Sequence, residues 1–139
     1  MMADRTLFVE VWGYDFPCAR CKSEMTWVFG LRPWYRPKVG ELVGCDQPLA
    51  VEVTRDILQR EGLGDLAAQL RLRPARARGA SFNPNTCGVC GDQADWRALN
   101  DVISRALHND SLVLARARVA VKAWRELIKE RTSVICNII

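Results

Sequence analysis

Four of the six cysteines stand in two pairs, Cys18/Cys21 and Cys87/Cys90, each with two residues between its members. Thiolates at that spacing can close a tight turn around one metal ion, and two such turns supply the four sulfurs of a tetrahedral site. The second pair reads Cys87-Gly88-Val89-Cys90-Gly91, and the trailing glycine suits a chain that must bend around an ion with positive φ. The spacing predicts one structural Zn²⁺ held by Cys18, Cys21, Cys87 and Cys90. Other thiol chemistries fit less well. A redox CxxC needs a helix N-terminus in a βαβ setting, whereas Cys18-Ala19-Arg20-Cys21 lies between two strand-like runs. Haem attachment needs a histidine directly after the second cysteine, where this chain has Lys22 and Gly91. Disulfides need an oxidising compartment, and no charged segment followed by an apolar one opens the chain, so a cytoplasmic location is expected.

Sixty-five residues separate Cys21 from Cys87, so the intervening chain must leave the metal, fold and return. Leu7-Phe8-Val9-Glu10-Val11-Trp12 and Met25-Thr26-Trp27-Val28-Phe29 are rich in β-branched and aromatic residues and read as strands, with the first CxxC as their hairpin turn. Residues 30–48, with three prolines and three glycines, read as an irregular connection that holds at most a short strand. Thr54 to Glu61 reads as helix, and Asp65 can cap a second short one before Pro74. Asp92 or Asp95 can cap a helix through about His108, with Trp96, Leu99, Ile103 and Leu107 on one face. A last amphipathic helix is expected over 111–132. Its stripe includes Leu112, Val119, Ala123, Trp124 and Leu127, and its back carries Arg118, Lys122, Arg125, Glu126, Lys129 and Glu130. The expectation is one α+β domain over 1–139: a small zinc-ribbon β core, a helical insert at about 50–75 and a helical extension at about 93–132.

Two neighbourhoods carry a family resemblance. Val9-Glu10-Val11-Trp12, Phe16-Pro17-Cys18-Ala19-Arg20-Cys21 and Thr26-Trp27-Val28-Phe29 form the first; Ser81-Phe82-Asn83-Pro84-Asn85-Thr86-Cys87-Gly88-Val89-Cys90-Gly91 forms the second. Together they resemble a loosely characterised bacterial zinc-ribbon group found beside competence-type and restriction-like nuclease domains. The resemblance implies a zinc-ribbon fold with a long insert between the ligand pairs. It implies little about activity.

Charge is unevenly placed. Residues 1–70 carry 8 basic and 10 acidic side chains, residues 71–139 carry 12 and 6, and arginine supplies 16 of the 20 cations. Arginine matches phosphate bidentately, so the basic half suggests a nucleic-acid or acidic-partner face. The tract 71–79 holds Arg71, Arg73, Arg76 and Arg78 with no acid and is the first candidate for phosphate contacts, the alternative being a solvated linker between the helical insert and the second knuckle. Catalytic equipment is sparse. His108 is the only histidine, and a helix end accounts for it. No phosphate-cradling GxxxxGK loop is present, and Glu10, Glu41 and Glu52 lack the lysine two residues on that a restriction-type nuclease uses with Mg²⁺. Four cysteine ligands would also leave no open position on the metal for a catalytic water. Cys45 reads as a small buried residue, and the terminal Cys136-Asn137-Ile138-Ile139 as a chance match to a prenylation box. Neither a membrane span nor a small-molecule substrate is expected. The reading is a zinc-stabilised binding module rather than an enzyme or redox protein. Its partner is nucleic acid or a nucleic-acid-processing protein met through the arginine-rich half. The alternative is an adaptor that docks its last helix on a larger protein.

Overall fold

A computed structural model describes residues 5–33, 42–72, 82–109 and 111–130. The fold is α+β, and the described residues form four antiparallel strands and four helices in the order β1 (Thr6–Pro17), β2 (Glu24–Pro33), β3 (Val43–Gly44), α1 (Pro48–Arg60), α2 (Gly64–Gln69), α3 (Trp96–Leu107), β4 (Leu112–Ala120) and α4 (Val121–Glu130). The sheet runs β3-β2-β1-β4, so the long β1–β2 hairpin forms its centre.

Each face of the hairpin buries a separate core. Val9 and Val11 of β1 join Val28 and Leu31 of β2 and Ala115, Ala117 and Val119 of β4 on one face. Helix α1 covers them with Val51, Ile57 and Leu58, α2 with Ala67, and α4 with Leu127. Towards the hairpin tip, Trp27 and Phe29 meet Leu99, Val102, Ile103 and Ala106 of α3, with Trp12, Tyr14 and Phe16 of β1 beside them. This two-sided burial explains why β2 reads as a nearly continuous apolar run rather than an alternating one.

Local chemistry sets the helix starts. Pro48 opens α1, where its fixed φ is already helical and its missing N–H costs nothing. It therefore begins an element instead of belonging to the irregular connection before it. Asp95 caps α3 by accepting from the amides of Arg97 and Ala98, and His108 closes the same helix. Trp96, in the first turn, is 47% exposed and does not share the buried face of Leu99 and Ile103.

The expected helix over 111–132 is corrected. Residues 112–120 form strand β4, and of the described residues in this span only 121–130 are helical. Ala115, Ala117 and Val119 point into the core while Arg116 and Arg118 point out, a period of two that spacing by threes and fours also accommodates. The free edge of β1 decides between them, since every residue from Thr6 to Gly13 finds a partner on β4. Helix-favouring Ala, Leu and Arg are overridden by tertiary pairing. The proposed partner stripe is consequently split. Leu112 and Val119 belong to β4, where Val119 is buried, while on α4 Leu127 is fully buried and Ala123 and Trp124 pack against the first core.

Both neighbours of β1 bulge, at points one residue apart along it. Phe29 of β2 is the extra residue opposite Trp12 and Gly13, and Leu114 of β4 is the extra residue opposite Val11 and Trp12. Gly13 is required there: a Cβ would stand 2.5 Å from the Leu114 side chain and 2.9 Å from the Trp27 carbonyl. Bulges bend strands. These two lie between Val11 and Gly13, ahead of the first cysteine pair.

Candidate metal centre

The first cysteine pair sits in the β1–β2 turn. The amide of Cys18 donates to the Ser23 carbonyl at 2.8 Å, and that of Lys22 to the Cys18 carbonyl at 3.1 Å. The second pair repeats the pattern at the same offsets, with Cys87 N–H to Asp92 O at 2.8 Å and Gly91 N–H to Cys87 O at 2.9 Å. The equivalent positions Lys22 and Gly91 both take positive φ, 65° and 73°. In both loops the amide two residues on points at the leading sulfur, Arg20 to Cys18 Sγ and Val89 to Cys87 Sγ, each at 3.4 Å. Two similar knuckles face each other.

They bring all four thiols together. Cys18 and Cys90 sulfurs lie 3.7 Å apart, those of Cys21 and Cys87 3.6 Å apart, and all four fall within 4.8 Å of one another. Bonds of about 2.3 Å to a central ion would place tetrahedral sulfurs about 3.8 Å apart. The donor set therefore fits a four-coordinate metal ion. Cys18 and Cys87 are buried, and Cys21 and Cys90 lie at the surface.

Proton affinities within the cluster are driven apart. Hydrogen bonds from Ser23, side chain and backbone, bring the Cys21 thiol down to about 6. The amides of Cys90 and Val89 lower that of Cys87. At Cys90 the Asp92 amide pulls downward, but desolvation and the hydrogen bonds shared with Cys18, Cys21 and Cys87 together prevail and push it up to about 11. Four sulfurs this close cannot all be anionic without a cation among them, so metal binding must displace protons.

The second knuckle has no hairpin beneath it, and buried amides hold it instead. Asn85 pairs with Val28 through its side chain: Val28 N–H donates to Oδ1 at 2.8 Å, and Nδ2 donates to the Val28 carbonyl at 2.9 Å. Gln69 at the end of α2 donates to Asn85 Oδ1 and to the Thr26 carbonyl. Asn83 receives both the backbone N–H and the side-chain Nδ2 of Asn85 and reaches on to the Ala94 carbonyl. A bridge between Leu70 and Asn85 completes the junction. Strand β2, the end of the insert and the second knuckle are thus tied together at Asn85, just ahead of Cys87. Sequence reasoning assigned Asn83 and Asn85 no role, although Asn-Pro-Asn so close to a ligand pair was a visible signal.

The remaining candidates fall elsewhere. Arg71 is exposed at the base of the second knuckle, its carbonyl accepting from Gln93, while Arg73, Arg76 and Arg78 lie outside the described residues. Cys136 also lies outside them. Cys45 does not join the cluster. It is fully buried with its thiol 3.6 Å from Thr54 Oγ1, and burial pushes its pKa up to about 12. His108 Nδ1 lies 2.8 Å from the Ser104 carbonyl. Among the described residues no helix is long and apolar enough to cross a membrane. Comparison with known proteins gave no matching family model, no matching curated protein and no matching solved structure, leaving the four thiols and the surfaces around them as the ground for a functional reading.

Proposed function

We propose that the chain is a zinc-stabilised nucleic-acid-binding accessory module. One Zn²⁺ on Cys18, Cys21, Cys87 and Cys90 closes the insert onto the hairpin. Four thiolates suit a closed structural zinc site, with no position left for a catalytic water. The observation that carries the nucleic-acid reading is the alternation along β4, where Ala115, Ala117 and Val119 are buried and Arg116 and Arg118 are held outward on a rigid strand. Arginines fixed this way, in the half of the chain with twice as many cations as acids, are suited to phosphate. The adaptor reading is weakened by the burial of Val119 and Leu127, which a partner could reach only by unpacking the first core.

The test is retention on immobilised DNA and RNA across a salt series, with metal content measured on the same preparation. Phosphate contacts make binding fall steeply with salt, whereas an apolar helix–groove contact does not. Absence of binding at low salt in the metal-loaded protein would remove the reading.

A further inference from the structure

Among the described residues, the outer face of the sheet is only half covered. Phe8, Glu10, Trp12, Tyr14 and Phe16 alternate along β1 on that side, and α3 packs over the part nearest the knuckles. Beyond it, Phe8 is 36% exposed. Residues directly opposite across an antiparallel pair project to the same side, so the register fills the rest of this face. Arg118 stands opposite Phe8, and Arg116 and Arg32 flank Glu10. The Arg118 guanidinium lies 4.8 Å over the Phe8 ring and that of Arg32 5.5 Å over Trp12. Arg116 pairs with Glu10 at 2.8 Å while its side chain stays 44% exposed. Three arginines and one carboxylate therefore share this face; Arg116 pairs with the carboxylate, and the other two arginines lie over aromatic rings. At the adjoining β4–α4 corner, Arg5, Lys122, Arg125 and Lys129 line a hollow in which Glu126 is the one acid.

We propose that this open half of the sheet binds single-stranded nucleic acid, its bases stacking on the Phe8–Arg118 and Trp12–Arg32 layers and its phosphates meeting the guanidinium groups. Stacking on flat aromatic and guanidinium surfaces needs unpaired bases whose faces are free, which a duplex does not offer. Arg116 and Arg118, two residues apart on one strand, stand about 6.8 Å apart along it, on the scale of successive phosphates in an extended strand. The corner cations continue the positive track beyond the rings. An acidic peptide would match the charge but would leave the stacked layers unused. The proposal rests on the nucleic-acid reading above and names its surface.

Fluorescence anisotropy with labelled oligothymidylate and oligouridylate of about 15 nucleotides, against a duplex of the same length, tests it. The metal-loaded full chain should prefer the single strands, and the two oligomers separate a DNA from an RNA preference. R32Q/R118Q should weaken binding about tenfold and lower the salt slope by roughly 1.4, at about 0.7 for each phosphate no longer neutralised. Phe8→Ala should weaken it about fivefold or more without changing the slope, since stacking carries no counterion release. Phe8→Leu, which keeps an apolar side chain and removes the ring, gives the same readout should the alanine variant fail to fold. Thermal melts of R32Q/R118Q should match the wild type. Wild-type affinity in R32Q/R118Q and in the Phe8 variants, or a preference for the duplex, overturns the proposal while the broader reading stands. No binding by the wild type to any of the three overturns both.

Discussion

The two knuckles share a hydrogen-bond pattern but not a foundation. The first is the turn of a twelve- and ten-residue strand pair, so the sheet places Cys18 and Cys21 before any metal arrives. The second lies between a bridge of single residues and the cap of α3, and its position depends on Asn83, Asn85 and Gln69. The conformation needed four residues after each leading cysteine also differs in cost. Gly91 adopts its positive φ freely, whereas Lys22 holds a left-handed backbone that favours glycine. The same local geometry is thus imposed by a sheet in one loop and by side-chain amides and glycine in the other.

The largest effect should come from the metal itself. Chelation, or Cys87→Ser, should destabilise the fold by several kcal/mol, less than the roughly 10–16 kcal/mol seen where zinc organises a whole finger peptide, because two apolar cores remain. Hydrogen exchange should then show residues 82–92 losing protection while the β1–β2 ladder keeps most of its own. Equal loss in both would erase the contrast. Elemental analysis finding no zinc in protein prepared without chelators would remove the metal centre altogether.

Asn85→Ala sharpens the same comparison without touching a ligand. It strips the Val28 amide and carbonyl of both their side-chain hydrogen bonds and takes one bond each from Gln69 and Asn83, which keep the Thr26 carbonyl and the residue-85 amide as partners, a loss of about 2–4 kcal/mol in a denaturant or thermal melt. Metal affinity should fall with it, since the second pair is no longer held opposite the first. A melt within a few tenths of a kcal/mol of wild type would mean that the metal alone positions this knuckle.

Reciprocal changes at the left-handed positions probe the turns directly. Gly91→Ala should cost about 1–2 kcal/mol, while Lys22→Gly should gain about 0.5 kcal/mol once the greater freedom of an unfolded glycine is set against the relief. Open space surrounds the Gly91 Cα, so strain in φ rather than a clash carries the first of these. Equal and small effects at the two sites would show that the metal loops tolerate either backbone state.

Cys45, outside both knuckles, provides an internal reference and the smallest effect at neutral pH. Burial raises its pKa from 9.0 to about 12, so the folded chain keeps a proton that the unfolded chain releases. Its contribution is present below about pH 9 and fades as pH rises towards 12. Cys45→Ala should therefore show less alkaline destabilisation between these values, and a thiol reagent near pH 8 should leave Cys45 unmodified while the knuckle thiols of chelated protein react. Rapid labelling of Cys45 in the native state would contradict its burial.

Much of this arrangement is written in local chemistry. The cysteine spacing, the glycine after the second pair and the β-branched runs around the first determine two knuckles and one hairpin, because each depends on residues a few positions apart. Asp95 marks the start of α3 for the same reason, whereas Asp65, expected to cap the second insert helix, lies inside the first turn of α2, whose N-cap is Leu63. Residues 112–120 were not decidable this way. Leu, Ala, Arg and Val satisfy both a helical and an alternating spacing there, and the available edge of β1 selected the strand. That choice turned Arg116 and Arg118 outward beside Phe8 and Glu10. The return of Cys87 and Cys90 to the hairpin was likewise settled at long range, by the Asn85 amide pairing with Val28 across 57 positions of sequence. Contacts of that separation are specified by burial and by which hydrogen-bonding edge is still open, and neither exists until the sheet has formed.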